Sequence, residues 1–121
     1  FIRSGGPRFS VLAGRDTLIY ATLLYGGKGA IAACGNVLPR LIVEIYEAFV
    51  RGDNKAALEA QFRLAPLRLA FELGTFPAVI KEAMEMIGLP SGPCRKPVLP
   101  MDRASREKLK AVLRGYGLLK A

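Results

Sequence analysis

The chain has 121 residues, 51% hydrophobic and 23% charged, with a formal charge of +8. That composition is globular and excludes intrinsic disorder, and no apolar run reaches the roughly 18 residues a membrane-crossing helix needs. With no histidine and two cysteines, Cys34 and Cys94, lacking metal-ligand spacing, the sequence argues against a zinc site.

The opening Phe1-Ile2-Arg3-Ser4-Gly5-Gly6-Pro7 has neither an initiator Met nor a signal-peptide pattern, and reads as a chain cut from something longer. Phe9 to Ala13 is short, mostly apolar and closed by Gly14, as expected of a strand covered on both faces. Asp16 can cap a helix over residues 17–25, with Leu18, Ile19, Thr22 and Leu23 at helical spacing. Gly26-Gly27 stops it, and residues 29–33 form a second short strand of small residues. Asn36 punctuates. Pro39 sits in the first turn of a helix whose apolar face is Leu41, Ile42, Ile45, Tyr46 and Phe49, and Gly52 closes it.

From there the pattern is helical. Asp53 can cap a segment over residues 54–72, which Pro66 should kink or split. A helix over residues 76–87 turns Val79, Ile80, Ala83, Met84 and Ile87 inward, and Gly88 ends it. Residues 90–100 carry four prolines and read as an extended connector. Asp102 caps the last helix, which runs to Gly115. The densest basic stretch, Arg103 to Lys110, also holds Glu107 and follows Asp102. It reads as a solvated helix face rather than a nucleic-acid site.

Two parallel strands joined by a helix form a βαβ unit whose sheet is too small to stand alone. Strands apolar on both faces need neighbours and a covered interior. The expected resolution is that further strands precede Phe1.

Three stretches carry a family resemblance. Val11-Leu12-Ala13-Gly14-Arg15-Asp16 resembles the end of the seventh strand in the dihydrodipicolinate synthase and N-acetylneuraminate lyase superfamily. Residues 26–37, Gly-Gly-Lys-Gly-Ala-Ile-Ala-Ala-Cys-Gly-Asn-Val, resemble its eighth strand and the turn leaving it. Gly74-Thr75-Phe76-Pro77, with Lys81 four residues after the proline, is similar to its C-terminal helices. Gly92-Pro93-Cys94-Arg95-Lys96-Pro97 is similar to the 4-hydroxy-2-oxoglutarate aldolase branch. The resemblance implies an α/β fold, the C-terminal part of a (β/α)8 TIM barrel. Residues 1–52 would be its last two βα units and residues 53–121 a C-terminal helical extension.

The resemblance also implies a pyruvate-dependent lyase. In this superfamily a lysine at the end of the sixth strand holds pyruvate as a Schiff base, and the protonated imine stabilises a carbanion that adds to an aldehyde or is released by aldol cleavage. That lysine and a proton-relaying tyrosine would lie upstream of Phe1, so no catalytic residue is expected in this segment, which alone should be inactive. Ile31 matches the residue whose backbone carbonyl lines the pyruvate pocket. Gly14 and Asp16 match the loop that contacts the second substrate in several members, although a turn glycine and a helix cap also explain them. Gly35 and Asn36 could shape the rim.

Lys28 lies at the non-catalytic face and Lys81 on the extension, so neither is nominated as nucleophile. No cofactor or metal is implied beyond the covalent imine. Partners would be pyruvate, an aldehyde or 2-keto acid, and further copies of the chain, a tetramer by resemblance. No membrane or nucleic-acid partner is expected, and two distant thiols suit a reducing cytoplasm.

Where sialic-acid lyases carry an acidic residue and a hydroxyl, Thr17 and Ala33 stand here, which argues against sialate. A divergent dihydrodipicolinate synthase, a 4-hydroxy-2-oxoglutarate aldolase and a 2-keto-3-deoxy sugar-acid aldolase stay open. So do two different classes: a stand-alone helical interaction module and a basic nucleic-acid-binding domain.

Overall fold

The computed structural model describes residues 1–120. Among these residues two strands and five α-helices follow in the order β1 (Leu12–Ala13), α1 (Ile19–Leu24), β2 (Gly29–Ala30), α2 (Pro39–Val50), α3 (Asn54–Leu69), α4 (Ala78–Met86) and α5 (Arg103–Gly115). The chain divides into two compact units, one over residues 1–65 and one from Pro66 onward. That division falls inside α3, whereas the fold-based boundary expected from the sequence falls before it.

In the first unit β1 and β2 are parallel, with Leu12 opposite Gly29 and Ala13 opposite Ala30. The ladder is shorter than the two apolar runs suggested. It is extended by the N–H of Lys28 donating to Val11 O at 2.8 Å and that of Ile31 donating to Ala13 O at 2.9 Å. The Gly26-Gly27 pair has two separate physical reasons. Gly26 takes φ +94°, and a Cβ on Gly27 would meet Thr22 Cγ2 at 2.4 Å and Thr22 O at 2.8 Å.

Ile19 and Leu23 of α1 are buried with Leu41, Ile45 and Ala48 of α2 and with Ala57, Ala60 and Leu64 of α3. The α2 stripe runs i, i+4, i+7, as an amphipathic helix requires. Ala48 takes the buried position, while Tyr46 of the expected face is exposed. Tyr20 meets Phe49 edge-on, with ring centroids 6.4 Å apart. Pro39 opens α2 at its first turn, and Asp53 Oδ1 accepts the N–H of Ala56 at 3.0 Å, capping α3 as its position predicts.

The apolar runs are covered only in part: Ala13 is buried and Val11 and Ala30 are half-buried. Leu12 is 44% exposed and Ile31 74% exposed, and Phe9, Leu18 and Leu24 are exposed too. The unit thus carries bare apolar surface beside its sheet, as the doubly apolar strands imply.

In the second unit Leu67, Ala70 and Phe71 are buried, as are Val79, Ile80 and Ala83 of α4, Met101, and Leu109 and Leu113 of α5. Met84 and Ile87, expected inward, are only half-buried. Pro66 does not split α3: the helix continues to Leu69 and tightens into a 3-10 turn over Ala70–Leu73. Beside that proline, Tyr116 Oη accepts the N–H of Leu67 at 3.1 Å. The Phe76–Pro77 and Lys96–Pro97 peptides are cis. Asp102 caps α5, its Oδ1 accepting the N–H of Ser105 at 2.9 Å and its Oδ2 the Ser105 hydroxyl.

Candidate functional site

The site begins where the two strands end. In a parallel barrel the loops leaving the C-terminal ends of the strands carry the chemistry. Here Ala13 leads into Gly14, Arg15 and Asp16, and Ala30 leads into Ile31, Ala32 and a 3-10 turn over Ala33–Asn36. The parallel register puts both exits at the same end of the sheet.

Asp16 is not the helix cap its position suggested. The 3-10 turn it opens has Arg15 at the N-cap position with no side-chain cap, and α1 likewise has none at Leu18. Asp16 is 2% exposed, and its Oδ1 accepts the backbone N–H of Cys34 at 2.8 Å. A buried carboxylate needs donors to offset lost hydration, and a backbone amide supplies a charge-assisted bond. The carboxylate therefore ties the first strand-exit loop to the second.

Ile31 lies between two anchors. Its own N–H is held by Ala13 O, and three residues on, the N–H of Cys34 is held by Asp16. The Ile31 side chain is exposed, and Gly14 has open space where a side chain would stand. The structure thus brings Gly14, Asp16 and Ile31 together at one end of the sheet. Asn36, which is exposed, closes the same turn, donating from Nδ2 to Ala33 O at 3.0 Å. Cys34 is buried.

Gln61, on α3, was not among the residues singled out from the sequence. It is 6% exposed, its Nε2 donates to Asp16 O at 2.9 Å, and its Oε1 accepts the N–H of Tyr20 at 2.9 Å. A signal for it exists. Residues 57, 60, 61 and 64 form an i, i+3, i+4, i+7 stripe, and Gln61 is its one polar member.

The two lysines set aside as nucleophiles lie elsewhere. Lys28 is exposed before β2. Lys81 Nζ donates to Ser91 O at 2.6 Å in the second unit. There Glu85 accepts the N–H groups of Ser91 at 2.5 Å and Gly92 at 2.6 Å. Those bonds, Gly92 first, hold the Glu85 carboxyl below the usual range. A cavity of about 480 Å3 adjoins this clamp and includes Lys81, Glu85, Cys94 and Arg106 in its lining. Its charged groups are engaged with the connector and, for Arg106, with Glu82.

Among the described residues no group of three or more His, Cys, Asp or Glu side chains could hold a metal, and no helix is long and apolar enough to cross a membrane.

The family model described as "Dihydrodipicolinate synthetase family" matches residues 1–115. The 4-hydroxy-tetrahydrodipicolinate synthase of Methanoculleus marisnigri is 39% identical over 109 residues, which is 90% of this chain and 38% of that protein. A dihydrodipicolinate synthase structure from Thermotoga maritima superposes with a TM-score of 0.87 at 32% identity, covering 92% of this chain and 38% of the other. A prophage protein of the dihydrodipicolinic acid synthase family from E. coli K12, solved in complex with pyruvate, gives 0.85 at 36% identity, covering 93% and 39%. The chain thus spans about two fifths of the length of such relatives.

Proposed function

The chain belongs to the dihydrodipicolinate synthetase family, and on that premise we propose that it works as the C-terminal part of a pyruvate-dependent Schiff-base lyase. Its fold is that of the corresponding part of a (β/α)8 barrel with its C-terminal helices. In this reading residues 1–52 supply the last two βα units and residues 53–121 the helical extension. The named relatives favour a 4-hydroxy-tetrahydrodipicolinate synthase. A 4-hydroxy-2-oxoglutarate aldolase, suggested only by residues 92–97, is the second choice. Neither the interaction-module nor the nucleic-acid reading has a comparable observation behind it.

The observation that carries the proposal is the pairing of two strand-exit loops by Asp16 and Cys34, with the exposed Ile31 between their anchors. The amine of a lysine outside residues 1–121 would condense with the pyruvate carbonyl, releasing water. No separate cofactor is needed, because the protonated imine itself takes up the electron pair of the carbanion. The Ile31 carbonyl would line the pyruvate pocket, and Gly14 would border the second substrate, an aldehyde or 2-keto acid; Asp16, matched to the same role by resemblance, is buried and would instead hold that loop in place through Cys34. A homo-oligomer and a cytoplasmic setting complete the proposal.

Borohydride reduction of the intact protein in the presence of pyruvate, followed by peptide mapping, tests this. A mass gain on one lysine outside residues 1–121 is expected. Absence of an adduct, or an adduct on Lys28 or Lys81, would overturn it.

A further inference from the structure

We infer that Gln61 is a positioning residue for the pyruvate pocket, an inference that rests on the lyase reading above. Its side-chain amide is spent at both ends. Nε2 holds the carbonyl of Asp16 and Oε1 holds the N–H of Tyr20, each at 2.9 Å. The two contacts grip the first strand-exit loop on either side of its turn into α1. Asp16 in turn reaches from that loop to the N–H of Cys34. The chain of contacts therefore runs from α3, through the first loop, to the segment that carries Ile31.

Each link is buried. Gln61 is 6% exposed, Asp16 2% and Cys34 0%. In such surroundings an amide that loses its partner is costly, so the arrangement is held in one geometry rather than several. A purely apolar residue at position 61 would complete the buried stripe of Ala57, Ala60 and Leu64. What the amide adds is direction: it fixes where the Asp16 backbone sits, and so where the Asp16 carboxylate meets the second loop. Precise placement of groups around a reacting carbonyl governs how well the carbonyl is held.

The test uses pyruvate itself as the probe in the intact protein, with borohydride trapping measured against pyruvate concentration. Two quantities separate: the half-saturating pyruvate concentration and the adduct yield at saturation. Gln61→Met keeps length and apolar packing but removes both bonds. It is expected to raise half-saturating pyruvate about tenfold while saturation still modifies the protein fully. Gln61→Glu keeps the acceptor for Tyr20 but sets a second acceptor against the Asp16 carbonyl, and should raise half-saturating pyruvate at least as far.

Ala60→Gly, a helix-weakening change one residue away, controls for loss of stability and should leave half-saturation unchanged. A merely structural role would lower the yield and leave half-saturation alone. An unshifted half-saturation in both Gln61 variants, or an equal shift in Ala60→Gly, would overturn the inference while the wild-type adduct keeps the lyase reading standing. A wild-type protein that traps no pyruvate would remove that reading and this inference together.

Discussion

The Asp16 carboxylate and the Cys34 backbone N–H, 2.8 Å apart and 18 residues apart in sequence, join the two loops that leave the parallel strands. The bond is side chain to main chain, so it depends on what stands at 16 and hardly at all on what stands at 34.

Replacing Asp16 should therefore cost far more than replacing Cys34. Asp16→Ala leaves a buried N–H without its acceptor and should destabilise the intact protein by about 2 kcal/mol. Asp16→Asn keeps an acceptor and should cost less, and Cys34→Ala less than Asp16→Ala. Urea denaturation of the three variants gives the order. Equal losses at 16 and 34 would show that packing, not the bond, dominates.

Tyr116→Phe should destabilise by about 1 kcal/mol, because its hydroxyl accepts the N–H of Leu67 beside Pro66. The ring remains, so packing is conserved. Thermal melts compared with Tyr116→Leu separate the hydroxyl from the ring. A Phe variant as stable as wild type would mean that water replaces the hydroxyl at no cost.

Acid should loosen the start of α5 before the buried helix cores. The N–H of Ser105, and then its hydroxyl, hold the Asp102 carboxyl below the ordinary value near 3.8. A carboxylate with a lowered folded pKa contributes stability above its unfolded pKa and loses it as pH falls through the folded one. The window therefore opens near pH 3.8 and extends downward. Carboxyl NMR should give an Asp102 midpoint below that value. In Asp102→Asn the first-turn amides of α5 should lose this pH dependence, and its persistence there would point to another group.

Glu85→Ala should release the connector without unfolding α4. The carboxylate accepts from Ser91 and Gly92 while Lys81 holds Ser91 O, so two side chains one helical turn apart grip one short segment. The expected result is faster amide exchange at residues 91 and 92, and earlier proteolysis within 89–100, at nearly unchanged Tm. Unaltered exchange would assign the ordering of the connector to its prolines alone.

Local chemistry was legible in the sequence and long-range chemistry was not. Asp53 and Asp102 cap the helices their positions announce, because a cap bonds to an amide three residues on. Gly52 and Gly88, at φ +81° and +84°, end helices where expected. Asp16 looked like a third cap of the same kind. Its partner lies in the other loop, and nothing in the residues around it says so. Gln61 escaped for a related reason: its contacts with Tyr20 and Asp16 are 41 and 45 residues away. At Pro66 the helix continues where a split was one of the two outcomes expected, and the N–H of the next residue, Leu67, goes to Tyr116 Oη, 49 residues away, a partner no local pattern announces. The apolar strands told correctly that the sheet wants covering, but not how few residues would meet the hydrogen-bond pattern of a ladder.

Among the described residues β1 and β2 have only each other, so each presents one row of main-chain groups to whatever comes near. Beside them lie Leu12 and Ile31, exposed and sticky. Such an edge is a template on which another extended chain can add itself. Produced by itself, the polypeptide should tend toward self-association and inclusion bodies. Supplying the rest of a barrel, on the same chain or as a separately expressed complementary piece, should restore solubility by occupying that template.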